Sequence, residues 1–367
     1  MITPARLRQA RELRGLTQTA LAQQVHVHPS AIAQLETGRM QPSPAVLDAL
    51  GRATGCPPAF FTRPSGPALP LGSLRFRARA AMTARQRRQA WWYAQTLYEL
   101  MASMAAQTHY PAPRLPWMTG DPPEAAQRTR EILGLPPDRP IGPLIRTLER
   151  SGVWVLAIPV PLPRRDACSA WAGGDGATPV LVVAATPAGD RRQFSVAHEV
   201  GHLVLHQVPQ GAPHALERQA DQFAEAFLLP AAAMREALVP PITLTTLADL
   251  KARWGVSLQA LIRRAHTLDL ITPSQYWSLS AQLGGTGLAD PGTDCGAGRA
   301  PAGAAATGGA PLRPADRDPA AGRRAGPGPV VRPGSAGGPC RGDLKGAIAH
   351  GSGQELWESS CHLMVEG

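Results

Sequence analysis

The chain has 367 residues, 44% of them hydrophobic, and a formal charge of +10 from 37 Lys and Arg against 27 Asp and Glu. That length suggests two or three domains, and that apolar content excludes a wholly disordered chain. No apolar run approaches the roughly 20 residues needed to span a bilayer, the start has no apolar signal core, and the five cysteines include no C-x-x-C pair, so a membrane span, a disulfide framework and a Cys-type structural zinc site are set aside and a cytoplasmic protein is expected.

The charge is confined to one end. Residues 1–62 hold six Arg and three acids, and residues 63–118 hold eight Arg and only Glu99. Residues 119–284 balance at fifteen and fifteen, and residues 285–367 at eight and eight. A localised basic excess is the footprint of a module that meets phosphates.

In the first segment Leu7, Ala10 and Leu13 have helical spacing, and Gly15 marks the end of that helix. Thr17 suits the cap of a second helix carrying Leu21, Ala22 and Val25. A short turn at His26-Val27-His28 leads to a third helix with Ile32 and Leu35, and a fourth spans about Ser43–Thr54 with Leu47 and Leu50. The small Ala22 lets two helices cross closely, which is the geometry of a helix-turn-helix.

The residues R-x-x-R-x-L-T-Q-x-x-L-A from Arg11 to Ala22, and S-A-I-A-Q-L-E-T-G-R from Ser30 to Arg39, resemble the Cro/C1-type (XRE) helix-turn-helix family. The resemblance implies that Gln18 clamps a phosphate, that His28, Ser30 and Gln34 reach base edges, and that Arg39 meets the backbone of double-stranded operator DNA. His26 stands where that family usually has a glycine in a left-handed turn, a conformation His tolerates at some cost. A helical bundle used only for dimerisation is the alternative for this segment.

Residues 64–72 (PSGPALPLG) have linker composition. Beyond them Tyr93, Leu97, Leu100, Met101 and Met104 form a one-sided helical stripe. Arg77, Arg79, Arg85, Arg87 and Arg88 either touch DNA phosphates or form a solvated face. Trp91, Trp92 and Tyr93 read as core. Short strands are expected at Val153–Ile158, Ala167–Ala172 and Val180–Ala184.

The chemistry lies in Val196-Ala197-His198-Glu199-Val200-Gly201-His202-Leu203-Val204. His198 and His202 are one helical turn apart, so both imidazoles leave one face and can share a metal ion at about 2.0–2.1 Å. Glu199 lies about 100° around the helix, placed to take a proton from water acidified by the metal. Asp190, with Gln193 three residues on, suggests a capping box at the start of this helix. His206 is about 12 Å along the helix from His198, too far to share one ion, and is read as a cap or a support for a ligand. The metzincin spacing is also missing, since Leu205 and Val208 stand where it needs Gly and His.

The third ligand is sought in Glu217-Arg-Gln-Ala-Asp221-Gln-Phe-Ala-Glu225, where Leu216, Ala220, Phe223 and Phe227 mark a buried stripe. Two carboxylates one turn apart at its border, Glu217 and Asp221, resist burial unless a cation or donor lies between them. Glu217 is the expected third ligand, Asp221 the partner of a ligand histidine's far nitrogen, and Glu225 the fallback ligand. One zinc ion per chain is expected.

The runs D-R-R-Q-F-S-V-A-H-E-V-G-H-L-V-L-H, E-R-Q-A-D-Q-F-A-E-A-F-L-L-P and L-K-A-R-W-G-V-S-L-Q-A-L-I-R-R-A resemble the ImmA/IrrE family of zinc metallopeptidases over roughly residues 120–284. That resemblance implies a gluzincin-like fold and a zinc-dependent endopeptidase whose protein substrate is a transcriptional repressor or regulator. Thr246–Ala265 has the look of a second helix-turn-helix, and its few charges favour a packing role.

From Gly284 onward lie 20 of the 37 glycines and little hydrophobic periodicity, so this tail is expected to be disordered or a frame-shifted remnant. The expected architecture is mainly α with a small β-sheet (α+β). Residues 1–62 form a DNA-binding bundle, 63–118 a linker and basic helical connector, 119–284 the peptidase domain and 285–367 the tail. A homodimer is compatible with this plan. The alternative is a non-proteolytic repressor whose peptidase-like domain senses a metal or ligand. Tyr276, His206 and His214 are candidate oxyanion donors.

Overall fold

Four short helices begin the chain: α1 (Pro4–Leu13), α2 (Gln18–Gln24), α3 (Pro29–Glu36) and α4 (Pro44–Thr54). The computed structural model describes residues 1–69, 83–160, 162, 167–173, 177–185, 189–206 and 212–285, so Arg77, Arg79 and the tail beyond 285 lie outside the described residues. Proline opens α1, α3 and α4, where its missing N–H is needed by no intrahelical bond. Thr17 caps α2 by accepting from the Ala20 amide at 3.0 Å, as its sequence position suggests. His26 adopts φ +55 in the turn between α2 and α3. Leu7, Ala10, Leu13, Leu21, Ala22, Ile32, Leu35 and Leu50 are buried together.

The four-helix expectation misses a fifth. Helix α5 (Pro58–Thr62) places Phe60 and Phe61 in the same core, with ring centroids 5.8 Å apart. Five residues are too few for a helical period to show, and Pro57-Pro58 reads as a break. Each fully buried ring contributes roughly 1.5–3 kcal/mol. Phe61 O also accepts from the Thr3 amide at 2.7 Å, which closes the bundle on its own start.

The long helix α6 (Ala84–Gln107) belongs to two cores at once. Trp92, Tyr93 and Leu100 pack on the N-terminal bundle. Ala90, Ala94 and Tyr98 are buried against a sheet, with Trp91, Leu97 and Met101 beside them. The one-sided stripe expected here is therefore a two-sided surface, and its last member, Met104, is exposed. Polar contacts lock α6 to α1: Arg6 pairs with Glu99, Gln9 Nε2 donates to Thr96 Oγ1 at 2.8 Å, and Trp92 Nε1 donates to Glu12 Oε2 at 2.6 Å.

After α7 (Pro122–Ile132) and α8 (Leu144–Arg150) comes a three-stranded sheet of β1 (Trp154–Ile158), β2 (Ala167–Ala172) and β3 (Thr178–Ala184), in the order β1-β3-β2. β1 pairs parallel and β2 antiparallel to the central β3, with Leu156 opposite Val182 and Ser169 opposite Leu181. Alternation of side chains gives the sheet two covered faces. Trp154, Leu156, Cys168, Ala170, Val180 and Val182 face α6. Ala167, Leu181 and Val183 face the core built around α9 (Gly189–Leu205) and α10 (Pro213–Leu228). Burial on both sides explains why β3 reads as an unbroken apolar run.

Helices α11 (Ala231–Ala237), α12 (Leu244–Trp254), α13 (Leu258–Thr267) and α14 (Pro273–Gly285) complete that core. The segment resembling a second helix-turn-helix is α12 and α13, joined at Gly255 with φ +64. Leu247, Trp254, Leu261, Ile262 and Ala265 of these helices are buried beside α9 and α10, in agreement with a packing role. The described residues are thus mainly helical with one small sheet.

Candidate functional site

Helix α9 begins at Gly189, one residue before the expected cap, and the Asp190 side chain lies outside the described residues. The Gln193 side chain reaches from the start of α9 to neighbouring segments. Its Nε2 donates to Ile141 O at 3.3 Å, and its Oε1 lies 2.9 Å from where a Cβ on Gly255 would stand. The helix is anchored by its surroundings. Trp171 of β2 donates to Leu203 O at 2.9 Å, which satisfies a carbonyl of the last turn.

On the inner face of α9, His198 and His202 are buried with their Nε2 atoms 3.0 Å apart. Glu217, in the second turn of α10, brings Oε2 within 3.5 Å of His198 Nε2 and Oε1 within 3.5 Å of His202 Nε2. Among the described residues this is the one group of His, Cys, Asp and Glu side chains clustered closely enough to hold a metal ion. Donors about 2.0–2.1 Å from a tetrahedral centre are separated by roughly 3.3 Å, close to the Nε2–Nε2 separation and to the approach of each carboxylate oxygen to its nearer imidazole. Two imidazoles and one carboxylate are also the donor chemistry that zinc accepts, whereas calcium and magnesium favour all-oxygen sites. The residues therefore fit a zinc ion.

The two imidazoles act on the carboxylate. Burial opposes the charge of Glu217, but hydrogen bonds to His198 and His202 outweigh it and hold the carboxyl well below the usual carboxylate range. The far side of each ring has its own partner. His198 Nδ1 lies 2.9 Å from Asp221 Oδ1. His202 Nδ1 lies 2.9 Å from His206 Nδ1, whose Nε2 is 2.8 Å from Gln219 Oε1. His206 is thus outside the triangle and behind His202. Glu225 is not among the three donors. It is buried at the other end of α10, where its Oε1 pairs with Arg263 Nη1 at 3.2 Å.

Glu199 is buried beside the triangle and is held from the sheet. The Ser169 hydroxyl donates to Glu199 Oε2 at 2.6 Å. Sequence reading missed Ser169, because only the register of an edge strand thirty residues upstream brings it there. The alternation along Ala167, Ser169 and Trp171, the face turned to α9, is the signal that was available. Burial pushes the neighbouring Cys168 thiol well up, with the Glu199 charge adding to it, so this sulfur stays protonated.

At the other end of the chain, His28, Ser30, Gln34 and Arg39 are exposed on or beside α3. His28 caps α3, its Nδ1 lying 2.7 Å from Ser30 Oγ. Gln18 is half-buried and donates to Glu36 Oε2 at 2.8 Å. Glu36, itself buried, is gripped by Arg11 through Nε at 2.5 Å and Nη2 at 3.0 Å. This fork ties α1, α2 and α3 together.

Comparison with protein families matches residues 7–61 to the helix-turn-helix model, and residues 148–266 to the peptidase model described as the IrrE N-terminal-like domain. The chain joins a helix-turn-helix domain to an IrrE-type domain. No curated protein matches it. The helix-turn-helix domain holds all of the exposed α3 residues above, and the IrrE-type domain holds every member of the histidine–carboxylate cluster. Helix α6 falls between the two. Of the other side chains considered, His214 is exposed in the first turn of α10, and Tyr276 packs tilted against His266 with centroids 4.9 Å apart. No helix among the described residues is long and apolar enough to cross a membrane.

Proposed function

We propose that the chain is a DNA-binding transcriptional regulator carrying a zinc-dependent endopeptidase. The observation that carries this is the convergence of His198, His202 and Glu217 in one triangle with Glu199 held beside it, on a chain that begins with a helix-turn-helix domain. His198, His202 and Glu217 would hold the ion. Zinc, when bound, supplies Lewis acidity that polarises the scissile carbonyl and acidifies water.

The chain's own groups do the rest. Glu199 takes a proton from the attacking water and delivers it to the departing amine. Ser169 holds the Glu199 carboxylate through Oε2. Asp221 and His206 hold the two rings by their far nitrogens. An extended peptide can lie along the edge strand β2, with its backbone bonds giving affinity and little side-chain selectivity.

In the same reading residues 1–62 bind operator DNA through Gln18, His28, Ser30, Gln34 and Arg39. Residues 63–118 connect the two parts, and 119–284 form the peptidase domain. The substrate is a repressor or regulator protein met in the cytoplasm. A domain of this kind attached to a DNA-binding module gains a high local concentration of operator-bound proteins.

The test uses zinc-loaded full-length protein and repressors encoded beside its gene. The proposal expects one of them to be cleaved, with cleavage abolished by chelator and by Glu199→Gln while the variant keeps its zinc. Intact repressors under all conditions, with a regulatory output indifferent to Glu199→Gln, would favour a metal or ligand sensor.

A further inference from the structure

We propose that Arg85, at the start of α6, extends the DNA-contacting face beyond the helix-turn-helix domain by holding a backbone phosphate beside the turn between α1 and α2. The inference rests on the DNA-binding reading and adds a contact outside residues 7–61.

The first turn of α6 follows a Thr83 capping box, carries Arg85, Arg87 and Arg88, and has no acidic residue. Cations there oppose the helix dipole, so local helix stability does not account for them. Gln89 Nε2 donates to Leu13 O at 2.7 Å, which fixes this turn of α6 on the end of α1. The Arg85 guanidinium then lies over Gly15: a Cβ at Gly15 would stand 3.2 Å from both Nε and Nη2. Gly15, with φ +62, opens the turn that leads through Thr17 into α2. Arg85 and the start of α2 therefore share one corner of the molecule.

Neighbouring acids do not neutralise that corner. Glu99, the only acid in residues 63–118, is buried against Arg6. Glu12 accepts from Trp92 through Oε2, and its Oε1 lies 3.5 Å from Arg88 Nε and 3.3 Å from Arg11 Nη2. Arg85 itself is exposed. In helix-turn-helix docking the second helix of the motif enters the major groove while the first lies across the sugar–phosphate backbone. The corner occupied by Arg85 is continuous with that crossing, and a guanidinium matches phosphate in both charge and fork geometry. The occupant is a phosphodiester of duplex DNA. Because phosphates carry no sequence, this contact adds affinity and register without base preference.

The experiment measures anisotropy of a short fluorescein-labelled duplex of arbitrary sequence, titrated with full-length protein over a series of KCl concentrations. Each phosphate neutralised contributes about −0.9 to the slope of log K against log salt. Arg85→Gln is expected to make the slope shallower by about 0.9, and Arg85→Lys to preserve it, because the lysine keeps the charge. A wild-type slope in Arg85→Gln overturns the proposal and leaves the DNA-binding reading standing. Equal loss in Arg85→Lys and Arg85→Gln also overturns it, since a guanidinium packed on Gly15 then matters for shape alone. Absence of any duplex binding by the wild-type protein overturns both.

Discussion

His206 stands directly behind His202, Nδ1 to Nδ1 at 2.9 Å, and is itself held by Gln219 Oε1 at 2.8 Å. If His202 offers the Nε2 lone pair to a cation, only one arrangement of protons satisfies the row. His202 Nδ1–H donates to His206 Nδ1, and His206 Nε2–H donates to the Gln219 oxygen. The row fixes both the tautomer and the ring plane of His202, as Asp221 does for His198. His206→Ala is expected to weaken zinc binding about 10–100-fold, read by competition with a chromophoric chelator, and Gln219→Leu to act in the same direction. Unchanged affinity in both variants would show that packing alone orients His202.

Gly201 sets how closely α9 approaches α10. A Cβ at this position would stand 3.0 Å from Phe223 Cδ1 and 3.1 Å from its Cβ and Cγ. Phe223 is fully buried and stacks on Phe227 with centroids 5.5 Å apart, so it has no room to retreat. Gly201→Ala is expected to separate the helices, lowering stability by about 1–3 kcal/mol in a urea titration and drawing Glu217 away from the two histidines. Wild-type stability together with wild-type zinc affinity would mean that the helix pair has slack.

Glu225 gives the second half of the chain a pH-dependent stability. Burial pushes its carboxyl up to about 7 from 4.5, with Arg263 and Arg264 opposing and Asp221 adding to the rise. Thr267 Oγ1, 3.5 Å from Oε2, faces it from α13. An acid raised on folding binds its proton more tightly in the folded state. Its contribution is therefore fully present below about pH 4.5 and is lost as pH rises through about 7. Denaturant midpoints should fall over that window, and Glu225→Gln should flatten the fall and raise the midpoint above it. A full wild-type slope in Glu225→Gln would assign the dependence to another group.

Much of the candidate site was legible because its geometry is local. His198 with His202, and Glu217 with Asp221, are each one helical turn apart, so spacing alone puts each pair on one face. The core positions of α1 to α4 follow from periodicity in the same way, and the three strands from short runs between Pro and Gly turns. What sequence could not supply is tertiary. Ser169 reaches Glu199 through strand register, and His206 reaches Gln219 across two helices. Glu225 is the fallback ligand by sequence, yet the packing of α13 gives it to Arg263. Helix α6 misled for another reason: a helix between two cores has no single apolar face. Its Trp92 serves the bundle while Tyr98 meets Trp154 of the sheet at 5.5 Å.

The central claim is that His198, His202 and Glu217 form one zinc site. Its most direct test is the zinc content per chain of purified full-length protein, measured by inductively coupled plasma mass spectrometry beside His202→Ala and Glu217→Ala. The account predicts one zinc per wild-type chain and little in either variant, with both variants still folded by circular dichroism. A metal-free wild-type protein after zinc loading and desalting, or full zinc in either variant, would contradict it.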